Sequence, residues 1–215
     1  ADQEMVRVLP VVRSLCRQVQ IPVSVDTYKV EVARAALDQG ATVVNDVSGL
    51  LYEPALAGVV ASHAAALVLM HNRGRSRDMY RDATYADVGA EVAGELGDRL
   101  SEAGAAGMDR NRIIVDPGLG FAKRADHSYA ALAGVGRLAS LNRPILIGPA
   151  RKSFLAREGD RGPAMRDWGT AAAVTAAVLE GAHIVRVHQV AEMVDVVRVA
   201  DGIRAHRHES RKEVS

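Results

Sequence analysis

Short apolar runs alternate along the whole chain with longer, alanine-rich stretches that carry charge. The runs are Ile21–Val25, Thr42–Val44, Ala66–Met70, Ile113–Val115, Pro144–Ile147 and Ile184–Val187. Each is rich in Val and Ile, and none alternates strictly between apolar and polar, as expected of parallel strands buried on both faces. Between them, Lys29–Gln39, Tyr85–Ala106 and Thr170–Glu180 place apolar residues at helical spacing. These stretches run into Gly40, Gly107 and Gly181, glycines suited to the left-handed position just past a helix. Gln3–Gln18 predicts a further helix ahead of the first run. A β-α rhythm repeated six times predicts an α/β fold with a parallel sheet and outer helices. It closes either as a doubly wound sheet or as a (β/α)₈ barrel.

Composition narrows this picture by exclusion. The 215 residues include 27 Lys and Arg against 26 Asp and Glu, a balance with no electrostatic footprint for nucleic acid or an anionic membrane. With 48% hydrophobic and 25% charged residues, the chain reads as a soluble globular protein. No apolar run approaches the ~18 residues of a membrane span. Cys16 is the one cysteine and has no internal partner, so a reducing, cytoplasmic setting is expected. The opening residues Ala1, Asp2, Gln3 and Glu4 lack the basic and apolar regions of a leader. No Pro/Gly/Ser-rich linker divides the chain. It reads as one domain over residues 1–205 and a polar tail over 206–215, with Arg157–Pro163 as a loop. His206 and His208 sit among Arg and Glu, and such composition favours a solvated, frayed end over a metal site.

Chemistry gathers where the apolar runs stop. The runs lead to Asp26, to Asn45-Asp46, to His71-Asn72-Arg73, to Asp116, through Gly148 to Arg151-Lys152-Ser153, and to His188. In parallel α/β folds these C-terminal strand ends build the ligand site. Any one polar residue there can simply cap the next helix, a reading that suits Asp26-Thr27 and Asp46 before Ser48. Arg186 resists it, because it falls inside an apolar strand where a charge needs an anion or a carboxylate. Polar groups at all six ends favour a ligand. Asp26, Asn45 and Asp116 suit a flat heterocycle with several N–H donors. Lys152, Arg186, His188 and Arg73 suit phosphate or pyrophosphate. Paired glutamates, a Gly-x-Ser-x-Gly elbow and a Walker lysine loop do not occur at these strand ends.

Six segments taken together resemble the ordered motifs of dihydropteroate synthases. They are Ile21-Pro-Val-Ser-Val-Asp-Thr-Tyr-Lys29, Val44-Asn-Asp-Val-Ser-Gly49, Leu69-Met-His-Asn-Arg73, Asp116-Pro-Gly-Leu-Gly-Phe-Ala-Lys123, Gly148-Pro-Ala-Arg-Lys-Ser-Phe154 and Gly181-Ala-His-Ile-Val-Arg-Val-His188. The resemblance implies a TIM barrel that condenses 6-hydroxymethyl-7,8-dihydropterin pyrophosphate with p-aminobenzoate, with Mg²⁺ assistance. It implies that Asp26, Asn45, Asp116 and Lys152 hold the pterin, with Met70 packed against it. Arg186 and His188 would bind the pyrophosphate, and Phe121, Lys152 and Ser153 would border the aminobenzoate. Catalytic roles would fall to Asp26, Lys152 and Arg186, with a buried aspartate facing the ring. The resemblance further implies a homodimer, for which Thr170–Leu179 is a candidate contact, and a sulfonamide target.

The chain departs from the family pattern in places. Ala150 stands where serine is usual, Gln189 where aspartate is usual, and Trp168 where a smaller or acidic residue is common. The family's first two strands have no counterpart here, so the chain is expected to carry strands three to eight, as a fragment or an incomplete record. The metal-binding asparagine belongs to the first of those strands, so no metal ligand is assigned. A non-catalytic pterin-binding remnant is the main alternative. A pterin-binding methyltransferase fits less well, given Arg151-Lys152-Ser153, and a Schiff-base aldolase using Lys152 is more distant still.

Overall fold

The computed structural model describes residues 1–75, 78–81, 83–156, 159 and 162–212, the last six by backbone alone. In chain order the first half forms α1 (Asp2–Gln18), β1 (Ser24–Asp26), α2 (Val30–Asp38), β2 (Val43–Asp46), α3 (Leu56–Ser62) and β3 (Ala66–Met70). There follow α4 (Val88–Ala105), β4 (Ile113–Asp116), α5 (Ala125–Ala133), β5 (Leu146–Ile147), α6 (Asp167–Leu179), β6 (Ile184–Val185) and α7 (Val190–Lys212). The predicted rhythm of six strands and intervening helices is present. Every strand pairing is parallel, β1-β2-β3-β4 in one sheet and β5-β6 in another.

Contacts divide the chain into two compact units. One comprises Ala1–Asn72 with Gly94–Asp116, the other Arg73–Ala93 with Pro117–Ser215. None of the crossing points has linker composition, and one falls inside α4.

In the first unit the sheet interior supplies the core. Val44, Leu67, Leu69, Ile113 and Val115 are fully buried, and each such side chain contributes roughly 1.5–3 kcal/mol. Helix α2 buries Val32, Ala33, Ala36 and Leu37 as one stripe. Its first amide, that of Val30, donates to the Glu53 carboxylate at 2.7 Å. It ends at Gly40, whose φ of 104° lets Ala41 N–H reach back to Ala36 O at 3.1 Å. In the second unit α6 buries Thr170, Ala173, Val174, Ala177 and Val178. Val174 and Val178 join Met193 and Ala200 of α7 in one core. Ala172 of the same helix is exposed, and Ala171, Thr175 and Ala176 are half-buried. Trp168, at the start of the same helix, is 88% exposed.

Two boundaries differ from the sequence reading. Strand β6 stops at Val185, so Arg186 lies past the strand and is exposed. β6 pairs with β5 alone in its sheet, and Arg186 N–H makes one last bond to Ile147 O at 2.9 Å. Helix α7 runs on through residues 206–212, where composition alone predicts a frayed tail. His206 Nδ1 lies 2.9 Å from Gly202 O one turn back, and a helix already packed on α6 extends through polar residues at little cost. The side chain of His208, residues 213–215, and 157–158 and 160–161 of the predicted loop lie outside the described residues.

Candidate active site

In the first unit the parallel register lines up the strand-end groups. Asp26 stands opposite Asn45, Asp46 opposite Leu69, and Met70 opposite Asp116. Asn45 Nδ2 donates to Asp26 Oδ1 at 2.9 Å. Asn45, Met70 and Asp116 are buried, so this strand end brings together an amide, carboxylates and an apolar thioether. Asp26 itself is exposed, in a strand with an exposed–buried–exposed pattern. The buried aspartate here is Asp116. Next to Asp26, Thr27 Oγ1 accepts from Lys29 N–H at 3.2 Å ahead of α2.

Asp46 builds the turn that follows β2. Its two oxygens accept the amides of Ser48 and Leu50 at 2.8 and 2.7 Å, which is the capping role its position predicts. Burial pushes its carboxyl above the ordinary range, and those amides partly offset the rise. Gly49, with φ of 61°, is required in this turn because an added Cβ would collide with Met70 O. Beyond β3, buried His71 places Nε2 3.1 Å from a Glu95 carboxylate oxygen. Asn72 donates to Val47 O at 3.3 Å. Sequence reasoning assigned no role to this pair of residues, since the partners Glu95 and Val47 lie 24 and 25 positions away.

The second unit carries the cations. Lys152 donates to Leu119 O and sits 4.5 Å above the Phe121 ring. Gly120 makes this approach possible, since a Cβ there would meet Lys152 Cδ at 3.3 Å. Ser153 is exposed and opens the short 3₁₀ turn Ser153–Leu155. Arg186 and His188 are exposed beyond β6, next to β5, the strand whose following loop leads to Lys152. These three positions therefore share one end of the β5-β6 pair.

Two other cations are engaged elsewhere. Arg151 grips Asp167 bidentately at 2.7 and 2.8 Å. Those hydrogen bonds hold the Asp167 carboxyl below its ordinary range and raise the Arg151 guanidinium. Arg73, a sequence candidate for phosphate, pairs with Glu91 at 2.7 Å and lies 3.9 Å over the Tyr85 ring. Lys123 is 1% exposed and donates to Phe121 O at 3.1 Å. Tyr80, Tyr85 and Lys123 had no sequence-based role; the signal available was a long connection after β3 bearing tyrosines.

A parallel α/β chain with acceptors at one set of strand ends and cations at another has the layout of a ligand-binding α/β-barrel enzyme. Comparison with known proteins makes this specific. The family model described as "Pterin binding enzyme" matches residues 1–188. The dihydropteroate synthase of Synechocystis sp. is 40% identical over 202 residues, covering 94% of this chain and 70% of that protein. The crystal structure of dihydropteroate synthase from Stenotrophomonas maltophilia with active site-bound imidazole superposes with a TM-score of 0.90. It is 38% identical and covers 95% of this chain and 77% of that one. The Xanthomonas albilineans enzyme in complex with 7,8-dihydropteroate gives a TM-score of 0.86 at 38% identity, covering 95% and 75%. The chain belongs to the pterin-binding enzyme family and, within it, to the dihydropteroate synthases. Its fold is their (β/α)₈ barrel, of which it carries six βα units.

Among the described residues no three His, Cys, Asp or Glu side chains gather as a metal-holding group. Asp26 accepts from Asn45, and its charge acts on the neighbouring Asp46 carboxyl. No step below runs through Mg²⁺. No described helix is long and apolar enough to cross a membrane.

Proposed function

We propose that this chain carries out the dihydropteroate synthase reaction, joining 6-hydroxymethyl-7,8-dihydropterin pyrophosphate to p-aminobenzoate and releasing pyrophosphate. The observation that carries the reading is the strand-end register of the first unit. There the bonded Asp26–Asn45 pair and the Met70–Asp116 pair share one sheet end. Carboxylates and an amide complement the N–H donors of a pterin, and Met70 offers an apolar, polarizable surface to its ring.

The chemistry needs no protein nucleophile. The aniline nitrogen of aminobenzoate attacks the exocyclic methylene carbon as the carbon–oxygen bond to pyrophosphate breaks. Pyrophosphate leaves with the bonding electrons, and the new amine gives its proton to solvent. Positive charge grows on the pterin, where the buried carboxylate of Asp116 stabilises it. Negative charge grows on the leaving group, where Arg186 and His188 supply donors. In this scheme Lys152 serves both substrates, from above the Phe121 ring that with Ser153 borders the aminobenzoate. Positioning and electrostatics account for the acceleration.

Coupled measurement of pyrophosphate release on the full-length protein tests this. Turnover that depends on both p-aminobenzoate and the pterin pyrophosphate is expected. Pterin binding by calorimetry with no such turnover would instead establish a non-catalytic pterin-binding protein. A homodimer is part of the proposal, checked by sedimentation of the same sample.

A further inference from the structure

The loop after β4 is held by its carbonyls in an unusual way. Four successive carbonyl oxygens each accept from a different side chain. Leu119 O accepts from Lys152 Nζ, Gly120 O from Tyr80 OH at 3.2 Å, Phe121 O from Lys123 Nζ at 3.1 Å, and Ala122 O from Tyr85 OH at 2.9 Å. The loop cannot hold itself by a regular ladder, since Gly118, Gly120 and Ala122 all have positive φ. For Ala122, at φ 47°, that conformation is unfavourable and needs an outside restraint. Its amide end is fixed too, with Gly120 N–H donating to Ser128 Oγ at 3.1 Å.

Tyr85 is itself aimed at this loop. Its ring is covered by the Arg73 guanidinium at 3.9 Å and edged by His127 at 5.1 Å. Arg73 is in turn fixed by Glu91 and by Thr84 O, both at 2.7 Å. The other oxygen of Glu91 accepts the amides of Ala86 and Asp87. A half-buried phenol held on its face and edge presents its hydroxyl in one direction, toward Ala122 O. What this fixes downstream is the Phe121 ring, on which Lys152 rests.

We propose that Tyr85 is a positioning residue for the aminobenzoate subsite, acting through Ala122 O to set the Phe121 ring; this rests on the synthase reading above. Tyr85 touches neither substrate in this scheme. Its hydroxyl sets the subsite's shape, so its loss weakens aminobenzoate binding selectively.

Steady-state kinetics of Y85F in the full-length protein, varying each substrate in turn, test the proposal. The KM for p-aminobenzoate is expected to rise about 5- to 10-fold, the effect of one lost hydrogen bond. The KM for the pterin pyrophosphate and kcat are expected to stay within about twofold. A purely structural role would lower the melting temperature and the active fraction without this split, and an unchanged aminobenzoate KM in folded Y85F overturns the proposal. In a double-mutant cycle with Phe121→Ala the KM effects of the two substitutions are expected to be non-additive; additivity also overturns it. Should Y85F fail to fold, Arg73→Gln removes the cation from the ring and keeps the hydroxyl. The same selective rise is expected, and its absence counts against the proposal. No aminobenzoate-dependent turnover in the unsubstituted protein would sink the synthase reading and this one together. Turnover with invariant KM would sink this one alone.

Discussion

At the residue scale, position in the fold separates cations of the same charge. Arg151 and Arg73 each follow the end of an apolar run, and Arg186 falls within one. In the structure Arg151 is clasped by Asp167 and Arg73 by Glu91 and Tyr85, while Arg186 lies exposed just past a strand end. Arg186→Ala is therefore expected to cut kcat/KM for the pterin pyrophosphate by about 10- to 100-fold, the range for a charge-assisted bond. Stability should change by under about 0.5 kcal/mol, since the side chain is exposed. Parallel kinetics and urea unfolding check both halves; a large loss of stability with unaltered kcat/KM would contradict the assignment. Asp26 and Asp116 were indistinguishable in sequence. Both end strands, and in the structure one is exposed and the other buried.

At the element scale, the turns after the strands carry more information than the strands. The turn after β2 depends on Asp46 binding two amides and on a glycine under Met70 O. Gly49→Ala is expected to cost about 1–3 kcal/mol, from a left-handed φ and a backbone collision. It should also raise the pterin KM, because the carbonyl displaced belongs to Met70. Differential scanning calorimetry and kinetics on one sample would show both, and a folded, kinetically normal variant would argue against the link. The helices were legible because their stripes and terminal glycines are local signals: Gly40, Gly107 and Gly181 all have left-handed φ. The end of β6 was not, because it depends on a pairing with β5 that sets Ile184 opposite Leu146, far away in the chain.

At the scale of the whole molecule, surface carboxylates tie stability to pH. Asp87, Glu91 and Asp167 are all held below their ordinary values, first by hydrogen bonds from Arg137, Arg73 and Arg151. A depressed carboxylate adds stability above its unfolded value, and that stability is lost as pH falls through the folded value. The loss for this set therefore lies below pH 4.5 for Glu91 and below 3.8 for the two aspartates. Asp46 acts in the opposite sense, since its raised value means protonation relieves a buried charge. Urea unfolding from about pH 5 to pH 3 should show falling stability, with a shallower fall in Glu91→Gln. An identical slope in that variant would remove Glu91 from the account. The sequence by itself determined the α/β rhythm, the helix ends and the polar groups at six strand ends, because hydrophobic period and turn chemistry act over a few residues. It also carried the family, because motif order survives where individual residues vary. Only the tertiary structure decided which aspartate is buried, which arginine stays exposed, and which tyrosines hold the loop around Phe121. Those outcomes depend on partners brought together from 16 to 40 positions apart, and local sequence has no record of such meetings.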